Sequence, residues 1–471
     1  GGGGGGGGGG GTPPHITLAT YYGGSDDEMI RDVAVDNAGS VYLVGGSRSP
    51  NFPVTIGSPQ GDYDVVVVKL SASGQLIWSR RFGGSGYDRA YGVEIDNQGQ
   101  VVLGGRASTG FPVTAGAFQT AFAGGTAPGA NPYGEQDGFV CKLNSTTAAT
   151  IWCSYLGATD GGAVRDIDVD GNGNVFAASW VSADYPATWF QPNAYQPDRA
   201  GGQDLSLTRV SADGSQVLNC TYLGGSLLDG DGPSVRALPN GDAAFVMTTR
   251  STDVPTVQPA QPGYQGGLQD LYVGVMSADG STLRWGTYLG GNGNDNTETH
   301  DLAVDSHGNV IVAASTSSGD LPLVGPALRS GLGGGSDGFF ARYSPTGTML
   351  NSTYYGGAGG DSFQGVTVGP GDTVYVSGST TSTSIPGVAG AAGGGGSDAY
   401  TVRVSADFSQ DFGGVRLGGS QDDEGRSVAR GPSGTWYVAG ITRSSDFHTV
   451  NAAGASFGGG SEDGIFVIIA P

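Results

Sequence analysis

The chain has 471 residues, of which 91 are glycine and only 37% are hydrophobic, and its 21 basic against 43 acidic residues give a net charge of −22. That charge repels nucleic acid and anionic membrane surfaces, and no apolar run approaches the ~20 residues a membrane helix needs. Three cysteines, Cys141, Cys153 and Cys220, are too few for a disulfide scaffold and lack the C-x-x-C spacing of thiolate metal sites.

Residues 1–15 open with a run of glycines followed by Thr12-Pro13-Pro14, which has no side chains to bury and reads as a flexible spacer. Glycine runs of this kind resemble the tether of bacterial surface lipoproteins, although the lipid-bearing cysteine is not in this sequence. From residue 16 to 471 one unit recurs. Its landmark is a glycine pair preceded by an apolar or aromatic residue, as in Trp285-Gly-Thr-Tyr-Leu-Gly-Gly291. Seven copies have their first glycine position at 23, 83, 157, 224, 290, 356 and 418, spaced 60 to 74 residues apart, and a period this regular is a repeat architecture.

Each glycine pair is followed by a short alternating segment ending in a tight turn, for example Asp32 to Val35 before Asp36-Asn-Ala-Gly39. This is strand A, and Gly39, Gly99, Gly173, Gly241, Gly308 and Gly434 supply the left-handed conformation its turn needs. Strand B is a nearly continuous apolar run (Val41 to Val44, Val310 to Val312), which requires cover on both faces. A longer loop carries an apolar-Pro pair, such as Phe52-Pro53 and Leu321-Pro322, with Phe447-His448 breaking the pattern. Strand C opens on an aspartate in all seven copies (Asp64, Asp137, Asp204, Asp270, Asp337, Asp398, Asp463), and strand D leads back to the next glycine pair. The prediction is an all-β, seven-bladed β-propeller of four-stranded antiparallel blades. Blade 7 lacks a fourth strand after Ala470, while Ile16 to Tyr22 has the strand-D pattern with nothing before it, so the N-terminal strand is expected to pair into the last blade and close the ring.

The unit T-Y-L-G-G-x-x-x-D, then V-D-x-x-G-N-V, then F-P, then G-G-x-D resembles the bacterial SBBP β-propeller repeat, most closely in blades 1, 2 and 5 and least in blades 4 and 7. The resemblance implies an exported cell-envelope or extracellular protein and implies no shared catalytic residues.

Strand direction puts the B–C loops and the glycine turns on one face of the ring, where variable loops usually bind. Four residues after the second glycine stand Glu28, Asp88, Asp229, Asp295, Asp361 and Asp423, with Gly162 as the blade 3 exception. Two readings compete: an acidic mouth that collects Ca²⁺, or carboxylates that accept backbone N–H groups of their own turns. The strand-C aspartates are expected to lie beside the glycine pair of their own blade and accept glycine N–H groups. Asp166-x-Asp168-x-Asp170-Gly171 superficially resembles the start of a calcium loop, but Ala177 stands where its last ligand belongs. Aromatic residues gather in the loops of blades 2 and 3, and Phe122, Tyr133, Trp189 and Phe190 are the candidate contacts for a protein or carbohydrate ligand; the alternative is that they form the loops' own small cores. The four histidines assemble no catalytic constellation, and His300 shares its offset with Arg31, Arg165 and Arg426, which reads as a salt-bridging position beside the strand-A acids. A bridge between Cys141 and Cys153 across a predicted hairpin stands against two buried thiols. The expectation is a secreted or surface-displayed binding or scaffold ring with no catalytic residues and no required cofactor. A carboxylate-based envelope hydrolase or lyase, and a structural spacer in a larger surface assembly, are the competing classes.

Overall fold

The computed structural model describes residues 13–125, 133–159, 161–390, 394–452 and 456–471. Seven antiparallel sheets each run in the order A-B-C-D, with strand A innermost. Blade 5 splits its strand A into Asp295–Asn296 and Leu302–Val304, and blade 6 adds a two-residue strand, Val388–Ala389, outside its strand D. Strands B and C are buried along nearly their whole length, as in Val41–Ser47 and Asp270–Met276, because each blade is covered by a neighbour on both sides. The six predicted turn glycines all have φ between 75° and 89°.

Blades are locked to one another by aromatic side chains. The indole N–H groups of Trp78, Trp152 and Trp285, each on a strand D, donate at 3.0–3.1 Å to the carbonyls of Ser145, Ala212 and Pro345 in the C–D turn of the next blade. The strand-D tyrosine before the glycine pair works within its own blade. Tyr155, Tyr222, Tyr288 and Tyr354 accept the N–H of Phe111, Tyr185, Val254 and Leu321 at 2.8–3.0 Å, so the apolar residue before each proline is pinned by a buried hydroxyl. Tyr21 does the same for Phe447 at 2.8 Å although 426 residues separate them, and so it stands in for the missing strand-D tyrosine of blade 7.

The ring closes as the sequence implied. His15–Tyr22 pairs antiparallel with Asp463–Ala470, with Ile16 opposite Ile469 and Tyr21 opposite Ile465. Cys141 and Cys153 lie directly opposite on strands C and D of blade 2 and are bridged, while Cys220 is a buried thiol. Removing residues up to Tyr22 strips one strand from blade 7 and leaves Asp463–Ala470 as a bare apolar edge. The expected outcome is a melting temperature lower by about 10 °C or more, together with aggregation; scanning calorimetry of the truncated chain checks it, and an unchanged transition would refute the closure.

Candidate functional site

The six strand-A carboxylates do not ring a solvent-filled mouth: each is at most 1% exposed. Each accepts the N–H of the second glycine four residues earlier, at 2.6–2.9 Å (Gly24 to Glu28, Gly84 to Asp88, Gly225 to Asp229, Gly291 to Asp295, Gly357 to Asp361, Gly419 to Asp423). Hydroxyls at the end of strand B complete the shell. In blade 5, Thr316 and Ser318 donate to Asp295 at 2.5 and 2.8 Å, and Thr249 with Ser251, Thr380 with Ser382, and Thr442 with Ser444 serve Asp229, Asp361 and Asp423 in the same way. Blade 3, which has Gly162 in place of the acid, also has Val181-Ser182-Ala183 in place of the Thr-x-Ser. Blade 2 keeps its acid with Ala107-Ser108-Thr109, and there the Ser108 N–H and hydroxyl serve Asp88 at 2.6 and 2.9 Å.

The strand-C aspartates sit beside the glycine pair as expected, but they take different donors. They accept N–H groups from the end of their own B–C loop, for example Ala200 to Asp204 at 2.7 Å and Gly333 to Asp337 at 2.6 Å. The first glycine of each pair is wedged against these carboxylates: a Cβ on Gly23 would meet Glu28 Oε2 at 2.5 Å and Asp463 Oδ1 at 2.8 Å. Burial pushes the carboxyls of Asp137, Asp270 and Asp463 up to about 7. Groups that hold a proton more tightly folded than unfolded contribute stability that is complete below their unfolded range, about pH 4, and is lost as pH rises through about 7. Melting temperature should therefore fall between about pH 5 and pH 8, and Asp270→Asn should flatten part of that fall. A melting temperature that rises over this interval would contradict the assignment.

The aromatic candidates mostly serve their own loops. Trp189 is 7% exposed and packs on Tyr185 and Phe118 with ring centroids 5.0 and 5.7 Å apart. Phe190 lies 4.9 Å from Tyr222 and Phe122 lies 5.5 Å from Tyr155. Gln119 and Gln196, beside Phe118 and Tyr195, cap the first glycine N–H of their blades at 3.0 and 3.3 Å; blade 4 uses Gln261 for this, not Gln265. Tyr133 differs. Its ring lies 4.2 Å from the Arg106 guanidinium, at the edge of a cluster that sequence reasoning did not find.

That cluster occupies the long-loop end of the central channel. Five strands A carry a β-bulge at the same register, and the extra residues are Arg31, Tyr91, Arg165, Gln364 and Arg426. Bulges re-aim side chains, and here they bring together groups from neighbouring blades. Tyr91, fully buried, is surrounded by the guanidiniums of Arg165, Arg89, Arg31 and Arg106 at 4.5, 4.6, 5.1 and 5.1 Å. Arg81, Arg236, Arg416 and Arg426 each pair with a carboxylate; among the described residues none of the four around Tyr91 does. Burial, together with Arg426, Arg89 and Arg165, lowers Arg31 to about 9. Burial alone would raise the Tyr91 phenol, but Arg106, Arg89, Arg165 and Arg31 bring it down to about 6.

Below this cluster the channel is spanned by His300, whose backbone has φ of +68° in the break of the blade 5 strand A. Its Nε2 meets the Tyr91 carbonyl at 2.8 Å and its Nδ1 lies 3.3 Å from Asp166 and 3.7 Å from Asp32. Burial opposes a charge on this ring, but Asp32 and Asp166 overcome it and its pKa is raised. Asp32 also accepts the Val93 N–H at 2.8 Å and the Ser427 hydroxyl at 2.6 Å, and Asp166 accepts Arg236 at 2.7 Å. On the other side of this waist, a cavity of about 400 Å³ opens toward the A–B turns and carries Glu94, Asp168 and Arg236. The channel is thus basic around Tyr91 at the long-loop end, where Arg426 is offset by Glu424 and Glu298, and rich in carboxylates at the other end. Asp166 and Asp168 belong to this channel and Asp170 pairs with Arg209, so the three do not converge as a calcium loop. One acidic triad, Asp305, His307 and Asp372, gathers at an A–B turn, with His307 Nδ1 3.0 Å from Asp372 and Asp305 also held by Arg342.

Residues 284–322, from strand D of blade 4 to the Pro322 of blade 5, match the SBBP family model, a beta-propeller repeat. The chain carries the SBBP beta-propeller repeat. No curated protein matches it in sequence. Among solved structures, this chain is similar to a protein of unknown function from Dyadobacter fermentans (12% identity, 97% of this chain and 99% of that one, TM-score 0.46). It is also similar to a quinohemoprotein alcohol dehydrogenase from Comamonas testosteroni (10% identity, 96% and 76%, TM-score 0.43) and to a polysaccharide lyase of family PL25, an ulvan lyase (11% identity, 94% and 97%, TM-score 0.47). Likenesses at this level carry no activity across to this chain.

Removing one member of a carboxylate–hydroxyl shell leaves buried donors unsatisfied, which costs about 1–3 kcal/mol per group. Asp361→Ala should therefore destabilise by about 2–4 kcal/mol, while Arg165→Gln, at a site with no carboxylate partner, should leave the urea midpoint unchanged or raise it. Urea titration of both variants checks the contrast.

Proposed function

We propose that this protein is an exported binding propeller that engages an anionic ligand at the long-loop mouth of its central channel. One observation carries the reading: four clustered arginines have no carboxylate partner among the described residues, in a chain of net charge −22. Packing like charges together in a partly buried site costs free energy, and an arriving anion offsets that cost. Many of the acids are engaged in the glycine turns and the channel waist rather than with these four arginines. Export is supported by the bridge between Cys141 and Cys153, since such bonds persist in oxidising compartments, and it agrees with what the SBBP resemblance implies.

The test is retention of the full chain on arrays of acidic and neutral glycans and peptides. Acidic members should retain it, and Arg106→Gln combined with Arg165→Gln should lower that retention about tenfold or more. Arg284→Gln, on the opposite face, should not. Retention indifferent to the double substitution would overturn the reading.

A further inference from the structure

Between blades 2, 3 and 4, next to the arginine cluster, a cavity of about 260 Å³ opens on the long-loop face. Its wall is made by Arg106, Arg165 and Arg250, by Trp180, and by Gln203 and Asp231. We propose that this cavity is a subsite for one acidic sugar ring, bearing a carboxylate or a sulfate, within a longer saccharide. The inference rests on the anion-binding reading above and adds the class of ligand.

Four features select this class. Arg106, 3% exposed, spends one nitrogen on Gln136 at 2.9 Å, and among the described residues neither Arg106 nor Arg165 pairs with a carboxylate. Both line the cavity, and a carboxylate or sulfate oxygen matches the guanidinium donors of its wall. Trp180 is only partly buried and offers an apolar ring face, on which the C–H face of a sugar stacks. Asp231 is exposed and spends one oxygen on the Gly232 N–H at 3.0 Å. A carboxylate in the wall of an anion site repels a bare inorganic anion but accepts from a hydroxyl, so it favours a ligand carrying O–H donors beside its negative group. Lastly, the cavity is smaller than the ~300 Å³ at which pockets for whole drug-sized ligands begin, which suits one ring of a chain continuing across the open face.

The same juxtaposition sets what should not bind. Neutral saccharides would leave the arginines unpaired, and small inorganic anions would leave Trp180 and Asp231 without partners. An acidic peptide would meet the arginines but not the flat aromatic wall together with the Asp231 acceptor.

The experiment is calorimetric titration of the full chain with a panel of uronate-bearing and sulfated oligosaccharides, their neutral counterparts, acidic peptides of equal charge, and sodium sulfate. Supporting results are binding of at least one acidic oligosaccharide, about tenfold weakening by Arg165→Gln and separately by Trp180→Leu, and neutral counterparts at least about tenfold weaker. Each variant is accepted only with an unchanged melting transition; Asp231→Asn, which is exposed, gives a second reading should Trp180→Leu fail to fold. If sulfate or the acidic peptides bind as tightly and lose affinity equally in Arg165→Gln, the saccharide assignment is overturned while the anion-binding mouth stands. If no member of the panel binds, both fall.

Discussion

A carboxylate at the head of strand A, accepting the N–H of the second glycine, determines where one blade stops and the next begins. The bond closes a four-residue turn in each of six blades, and the hydroxyls of the same blade's strand B finish the shell. Because the strand-C aspartate of the preceding blade presses on the first glycine, any side chain there would collide with carboxylate oxygens. Two acids and two glycines thus make one joint. Much of the acidity that looks like a surface property in the composition is used inside these joints, where burial raises the carboxyls and keeps them from repelling one another at full charge.

Repetition makes the ring, and departures from repetition make its mouth. In strand A the bulge is common to five blades, but the residue it turns inward is not: arginine in blades 1, 3 and 7, tyrosine in blade 2 and glutamine in blade 6. The basic side chains collect over blades 1 to 3, and Arg89 and Arg106, which occupy other positions of blade 2, join them around Tyr91. Blade 5 departs furthest, since its broken strand A throws His300 across the channel onto Asp32, Asp166 and the Tyr91 carbonyl. This contact ties opposite sides of the ring and separates the basic end from the carboxylate-bearing end.

Blade count, strand order and turn glycines were legible in the sequence because each is a local pattern repeated from blade to blade, and ring closure because one strand was left over at one end and one was missing at the other. The place of the strand-C aspartates was legible for the same reason. Their donors were not, since a spacing fixes which groups are near but not which N–H points where. The Thr-x-Ser signal was present at 249–251, 316–318, 380–382 and 442–444, yet hydroxyl residues are common in turns and the pattern gains meaning only beside the acid it serves. A bulge leaves the alternation of a short strand almost unchanged, so nothing marked Arg31 or Arg165 as inward-facing. The aromatic loops misled for a physical reason: Trp189 and Phe190 fill long loops that need cores of their own, and only Tyr133, stacked on Arg106, touches the basic mouth. Trp180, at the end of a strand B, stands among the aromatic residues that gather around the blade 3 loop, but nothing in the sequence separates it from those that fill the loop's own core.

The most direct test of the account is a crystal structure of the full chain with a bound acidic oligosaccharide. The account predicts a sugar ring over Trp180 with its anionic group within hydrogen-bond distance of Arg106 and Arg165. A ring seated on the A–B turn face, or one that leaves both guanidiniums untouched, would contradict it.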